Sequence, residues 1–250
     1  MAEPDDLFTL KNQLWVGNYQ NAISEGAMLT HVRDSLRHER DVGDAEMIEL
    51  TLKEWLADPT SGENPHLLLV AGMIFSRAAK YSDALSALTK GGSLEHMLYI
   101  VHLYLQMDRI DLAQKQVQEM RKIEEDSTLT QLAQAWCLTL RGGDKADEAT
   151  LHFQELSDRF GATPLLLNGA AVAFMALKNF IEAERLLAEA LQKDVANEDT
   201  LINLVTVSAH LNKPYTQYLA QLEQVAPSNA WLANYIRMDQ EFSMTAANFA

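Results

Sequence analysis

The sequence contains little cysteine and little basic charge. One of its 250 residues is cysteine, so no disulfide can form within the chain. Lys and Arg number 20 against 35 Asp and Glu, which gives a formal net charge of −15. Proteins that bind a phosphate backbone or an anionic membrane surface concentrate basic side chains. The composition therefore argues against a nucleic-acid partner.

No segment that would direct the chain into a membrane is evident. The N-terminus reads MAEPDD, which is acidic where a signal peptide would be basic and then apolar. The longest stretch without charge, Gly161 to Leu177, is short for a membrane span and contains Pro164. We therefore expect a cytoplasmic protein that does not insert directly into a membrane.

Motifs that carry chemistry are also missing. The sequence has no G-x-S-x-G elbow, H-E-x-x-H motif, glycine-rich phosphate loop or C-x-x-C pair. Among its seven histidines, His96 and His102 lie near opposite sides of one predicted helix and so cannot share a metal ion. We expect a protein that is not an enzyme and that has no cofactor, metal or small-molecule substrate.

What the sequence does contain is a repeat of about 34 residues. In the clearest copy, which begins at Pro164, Ala171 and Ala183 are the small residues at positions 8 and 20. Small side chains there let the two helices of one repeat cross closely. Phe180, at position 17, is expected to begin the second helix.

The in-phase copies predict an all-α fold, a right-handed superhelical solenoid of tetratricopeptide-like helix-turn-helix repeats with a C-terminal capping helix. We predict one domain over residues 1–250, with an amphipathic helix over 44–57 inside an irregular segment, 32–62. The predicted repeats lie near 3–31, 65–93, 94–127, 130–162, 164–197 and 198–227, and the cap covers 228–250.

In stacked repeats of this kind the first helices line a concave wall, where positions 2, 5, 9 and 12 point inward. Most residues at these positions are apolar, which favours a groove filled by a protein segment. Alternatively, some of them pack between the repeats. The candidate wall residues are Leu69, Met73, Leu98, His102, Leu105, Leu138, Leu165, Asn168, Val172, Met175 and Ile202.

Two stretches resemble a known family. One reads LLLNGAAVAFMALKNFIEAERLLAEALQKD and then EDTLINLVTVSAHLNKP, within 165–214, and the other is DDLFTLKNQLWVGNYQNAISEG near the N-terminus. Both resemble the epsilon subunit family of coatomer, the coat complex of Golgi-derived vesicles. The resemblance implies a non-catalytic structural subunit that binds and stabilises the C-terminal region of the alpha subunit through its concave surface. Contacts with other coatomer subunits would be indirect.

The same resemblance implies a cellular location and a transport step. The chain would be recruited peripherally from the cytoplasm to Golgi membranes and coated vesicles, and it would serve Golgi-to-ER retrograde and intra-Golgi transport.

A second interpretation is a tetratricopeptide adaptor or co-chaperone that binds another peptide, such as an acidic tail. Such a clamp needs Lys, Arg and Asn on the inner wall. The sequence supplies Asn168 there, with Arg77 and Arg141 close by, among mostly Leu, Val and Met.

Overall fold

The computed structural model describes residues 45–58 and 62–247, and these residues contain helices and no strand. The chain divides into two compact units, residues 1–161 and 162–250. The helices of unit 1 are α1 (Ala45–Ala57), α2 (Pro65–Arg77), α3 (Tyr81–Gly91), α4 (Leu94–Gln106), α5 (Ile110–Ile123), α6 (Thr128–Arg141) and α7 (Asp144–Phe160). Those of unit 2 are α8 (Pro164–Ala176), α9 (Phe180–Lys193), α10 (Glu198–His210), α11 (Thr216–Val225) and α12 (Ala230–Ala247).

Capping side chains set the starts of several first helices. The Asn64 Oδ1 atom accepts from the backbone N–H of His66 at 2.9 Å, and Pro65 follows as the first helical residue. Thr163 caps α8 in the same way, with Pro164 next. Because these side chains satisfy N–H groups that have no partner inside the helix, they fix where each helix begins.

Four of the helical hairpins turn through the same backbone conformation. Position 15 of each repeat has a φ between 54° and 60°, although no glycine stands there. In each turn the next N–H donates to a carbonyl five residues earlier, at 2.8 to 2.9 Å. This bond satisfies an end carbonyl of the first helix. The left-handed residues are Ala79, Asp108, Lys178 and Asn212.

The hairpin of α6 and α7 differs from these four. Helix α6 begins at Thr128, two residues before the predicted repeat start at 130, and α7 begins at Asp144. Only Gly142 and Gly143 separate the two helices, with φ values of 66° and 56°. Two consecutive residues with positive φ shorten the turn, and glycine adopts this conformation without a steric penalty.

Small residues lie where the two helices of a hairpin cross, as the repeat pattern predicted. A Cβ atom built on Gly72 in α2 would lie 2.4 to 3.0 Å from the side-chain carbons of Leu88 in α3. Ala84, Ala149 and Ala183 at the matching position of second helices are fully buried. A larger side chain would force the helix axes apart.

The start of the chain is described only in part. The predicted repeat over 3–31 lies outside the described residues, as does 32–44 of the irregular segment. Helix α1 covers the predicted amphipathic stretch, and its Leu52 packs in a core cluster with Leu68 and Phe75. Whether residues 1–250 form one right-handed solenoid stays a prediction.

Helix α12 follows the last hairpin, where the sequence predicts a cap. Its first turns pack against unit 2, because Leu232 is buried beside Leu201, Leu222 and Ala226. Beyond those turns the helix is largely exposed to solvent.

Candidate partner-binding surface

In unit 1, four predicted wall residues are half-buried, so each side chain packs on one side and faces solvent on another. Leu69 packs against the core cluster of α2 and α3, and Leu105 packs against the cluster of α4 and α5. Met73 and His102 are the other two. These side chains provide apolar surface that a partner can cover.

Two other wall predictions in unit 1 need correction. Leu98 is 1 % exposed and lies in the core with Val101 and Ala113. Leu138 is 8 % exposed. The sequence position was read as inward-facing, but helices of the same and of the next repeat enclose Leu98, and Leu138 is mostly buried as well. Neither side chain offers more than a small part of its surface to a partner.

Unit 2 contains four half-buried wall residues. Met175 packs against the core cluster of α8 and α9, and Ile202 packs against the cluster that contains Leu222. Leu165 and Val172 are likewise half-buried, at positions 2 and 9 of α8. All four are apolar, as the wall prediction requires.

Asn168, the polar wall residue of unit 2, is 8 % exposed and belongs to a hydrogen-bonded network instead. Its Nδ2 atom donates to the Pro164 carbonyl at 2.8 Å and to the Thr200 hydroxyl at 2.7 Å. Its Oδ1 atom accepts from Asn203 Nδ2 at 2.9 Å. The Asn168 side chain therefore joins α8 to α10, and it has little surface left for a partner.

His102 lies between aromatic side chains of unit 1. Its ring centroid is 6.2 Å from that of Tyr99 and 6.0 Å from that of Trp136 on α6. Burial disfavours the charged imidazolium and lowers the pKa of His102 from its usual value of 6.5. At neutral pH the residue therefore contributes a neutral ring to this surface.

A cleft between α5 and α6, lined by both polar and apolar side chains, was missed by the wall prediction. Its volume is about 150 Å³, and it is lined by Gln114, Val117, Gln118, Arg121, Gln134, Cys137, Leu138 and Arg141. Gln134 and Arg141 occupy wall positions 5 and 12. The sequence signal was the spacing of Gln114, Gln118 and Arg121, which places these three residues on one face of α5.

The buried thiol of Cys137 has no chemical role in this arrangement. Removal from water raises its pKa to about 12, so it stays protonated at neutral pH and is a poor nucleophile. Over residues 45–58 and 62–247, no three His, Cys, Asp or Glu side chains are grouped to hold a metal ion. Within the same ranges, no helix has both the length and the apolar character that crossing a bilayer requires.

The hairpins resemble those of solved tetratricopeptide structures. A tetratricopeptide repeat protein from Parabacteroides merdae matches with a TM-score of 0.69 over 93% of this chain and 96% of its own, at 12% sequence identity. A tetratricopeptide protein from Thermus thermophilus matches with a TM-score of 0.60 over 68% of this chain and 96% of its own, at 12% identity. The molecule is a helical repeat protein of the tetratricopeptide class.

Sequence relatives narrow the class to one family. The model of the coatomer epsilon subunit family matches residues 43–250. Coatomer subunit epsilon-1 of Arabidopsis thaliana is 37% identical, covering 100% of this chain and 99% of its own. Coatomer subunit epsilon of Dictyostelium discoideum is 32% identical over 80% of this chain and 68% of its own. The chain belongs to the coatomer epsilon subunit family, and it is therefore a component of coatomer.

Proposed function

We propose that this chain is a non-catalytic coat subunit that binds and stabilises the C-terminal region of the coatomer alpha subunit through its first helices. Family membership supports a role in the coat. The observation that supports this mode of binding is the set of half-buried apolar wall residues. In unit 2 these include Leu165, Val172 and Met175, which lie on one first helix. Partly exposed apolar groups at one repeat face suit a segment of another protein.

A structural role is the simplest account of the described residues. The chain belongs to a family of coat subunits, and its sequence contains none of the catalytic motifs sought above. Its cysteine is buried and protonated. We therefore infer that the chain acts by binding another protein. We also infer that its contacts with the other coatomer subunits are indirect and run through the alpha subunit.

The proposed location follows from the same family. We infer that the chain is cytoplasmic and is recruited peripherally, with the rest of coatomer, to Golgi membranes and coated vesicles. Its transport steps would be Golgi-to-ER retrograde and intra-Golgi transport. Fluorescence imaging of the tagged chain, with and without depletion of the alpha subunit, tests this location. Golgi signal that persists unchanged after depletion would contradict recruitment through that subunit.

Co-expression with the C-terminal region of the alpha subunit, followed by gel filtration, tests the partner. We expect one complex with the unchanged chain and none with Val172→Glu, because the new charge would be buried against an apolar partner. Ile181→Glu is the control, since Ile181 is 74 % exposed on the second helix of the same hairpin.

The two variants separate binding from folding. Both should keep the helical circular dichroism of the unchanged chain, because neither residue is buried in a core cluster. If Val172→Glu co-elutes with the alpha region as well as Ile181→Glu does, the proposed binding surface is wrong.

A further inference from the structure

We propose that the cleft between α5 and α6 binds a carboxylate of the partner segment, and that Arg141 is its main contact. The identity of the partner rests on the proposed function, whereas the chemistry of the site rests on the cleft alone. Gln134, Leu138 and Arg141 line the cleft and are at positions 5, 9 and 12 of the repeat that begins at residue 130. These are the positions that Asn168, Val172 and Met175 occupy in α8.

Arg141 carries a charge that its neighbours orient without neutralising. In the amide orientation that satisfies both groups, the Gln114 carboxamide oxygen accepts from Arg141 Nη1 at 3.3 Å and from Nε at 3.2 Å. No acidic side chain of the described residues lies within 4.0 Å of the Arg141 nitrogens. Arg109 and Arg185, by contrast, each pair with a carboxylate.

The second guanidinium of the cleft is held only weakly. Arg121 donates to Glu125 Oε1 both from Nε, at 3.1 Å, and from Nη2, and both side chains are about half-exposed. An exposed ion pair of this kind contributes little and is screened by salt. Arg121 can therefore exchange this partner for an incoming anion while staying on the same helix face.

The lining of the cleft selects the class of ligand. Two guanidinium groups and three carboxamides present N–H donors, and the residues that line the cleft include no carboxylate. The floor is apolar, since Cys137 and Leu138 are both buried. A charge-assisted hydrogen bond is stronger beside such a floor than in open water.

Because the chain has a net charge of −15, an acidic partner segment can be attracted only by a local group of positive charge. An acidic partner segment would be repelled by the average field of this chain. At physiological salt that repulsion is screened beyond about 8 Å, whereas a contact inside the cleft is screened much less. The cleft thus provides a local attraction for an acidic side chain on a surface whose other charges are mainly negative.

The affinity of the alpha-subunit region for matched arginine variants tests the proposal. Arg141→Gln should weaken binding by about tenfold or more, because the Arg141 side chain, exposed in the free chain, would be covered by the partner, and truncating one member of a buried charge pair is costly. The control is Arg159→Gln. Arg159 is exposed on α7, and its Nη1 donates to Gln131 Oε1 at 3.4 Å, so it too has a carboxamide partner. We expect a change of no more than about twofold there.

A second measurement is independent of the alpha subunit. The full chain with ¹⁵N-labelled arginine is titrated with a short acetylated peptide that contains two Glu residues, and with its Gln counterpart. We expect the Arg141 Nε–H resonance to shift with the Glu peptide only. A shift that is equal for both peptides, or tighter binding of inorganic phosphate than of the Glu peptide, would overturn the carboxylate assignment.

The two measurements distinguish failure of the cleft from failure of the proposed function. If the alpha region binds the unchanged chain and Arg141→Gln equally while Val172→Glu abolishes binding, the cleft proposal is wrong and the function stands. If the Glu peptide shifts Arg141 but the alpha region does not bind, the cleft proposal stands and the partner is wrong.

Discussion

The two units join successive first helices by different polar contacts. In unit 1, His96 Nε2 on α4 donates to the carbonyl of Pro65 on α2 at 2.9 Å. In unit 2, Asn168 donates to the carbonyl of Pro164 on its own helix and also to Thr200 on α10. In both units the contact involves the carbonyl of the residue that begins a first helix, which is Pro65 or Pro164. It also involves the third residue of the next repeat, which is His96 or Thr200.

The difference lies in how the bonds are shared. His96 is 2 % exposed, and one large ring both fills space and makes the contact between helices. In unit 2 four side chains share the hydrogen bonds, and each makes at least one bond in the network: Asn168, Thr200, Asn203 and Asn197. Bonds in such a network depend on one another, so losing the central member leaves several groups unsatisfied.

The largest effect should come from Asn168→Leu. The substitution removes three hydrogen bonds while keeping a branched side chain of four heavy atoms, and it leaves the fully buried Thr200 hydroxyl without one partner. We expect the free energy of unfolding to fall by about 2–3 kcal/mol. Urea denaturation followed by circular dichroism measures this. Asn203→Ala, which removes one half-buried bond, is the control, and equal losses from both variants would contradict a central role for Asn168.

His96→Ala should cost about 2 kcal/mol, because it removes the hydrogen bonds of the ring to the Pro65 carbonyl and the Ser93 hydroxyl and leaves a cavity where the ring packed. The same denaturation experiment applies. A loss larger than that of Asn168→Leu would reverse the comparison, since it would show that one ring stabilises its junction more than the shared network does.

Gly91→Ala perturbs the His96 contact from the opposite side. A Cβ atom on Gly91 would lie 2.0 Å from His96 Nε2, so the ring must shift away from the Pro65 carbonyl. The better helix propensity of alanine offsets part of this, and we expect a net loss of about 1 kcal/mol. In the His96→Ala background the same substitution should cost nothing, and a loss that persists there would mean that the ring is not the obstacle.

The smallest effect concerns the hairpin turns. Ala79→Gly in unit 1 should stabilise the chain by less than about 1 kcal/mol, because Ala79 has a φ of 57°, a conformation that costs alanine but not glycine. Asn212→Gly in unit 2 should change the free energy of unfolding less, since asparagine adopts a positive φ more readily than alanine does. Thermal unfolding of both variants measures the difference. Destabilisation by Ala79→Gly would show that the turn is not strained.

Much of each hairpin could be predicted from the sequence. Pro164 and Phe180 mark helix starts, and Gly72 and Ala183 mark close crossings, because these features depend on local backbone rules and on side-chain size. The left-handed residues were harder to predict, since Ala79 and Lys178 do not favour that conformation by themselves. There the closing hydrogen bond of the hairpin overrides the local preference.

The candidate surface was only partly predictable. Repeat position selects apolar residues such as Val172, which is half-buried, but it does not separate them from Leu98, which is buried in the core. It also missed the cleft beside Arg141, because that cleft depends on where α5 lies relative to α6. Repeat position describes one helix face, whereas exposure depends on the helices around it.

The sequence by itself determined the helices, the hairpins and the family of this protein, since these follow from local propensity, the spacing of small and apolar residues, and residue identity. Only the tertiary structure decided which wall residues are buried, that Asn168 serves a network between helices, and that Arg141 meets a carboxamide and, among the described residues, no acid. The physical reason is that burial and hydrogen bonding depend on side chains about 30 residues apart in the chain, which come together only when the repeats pack.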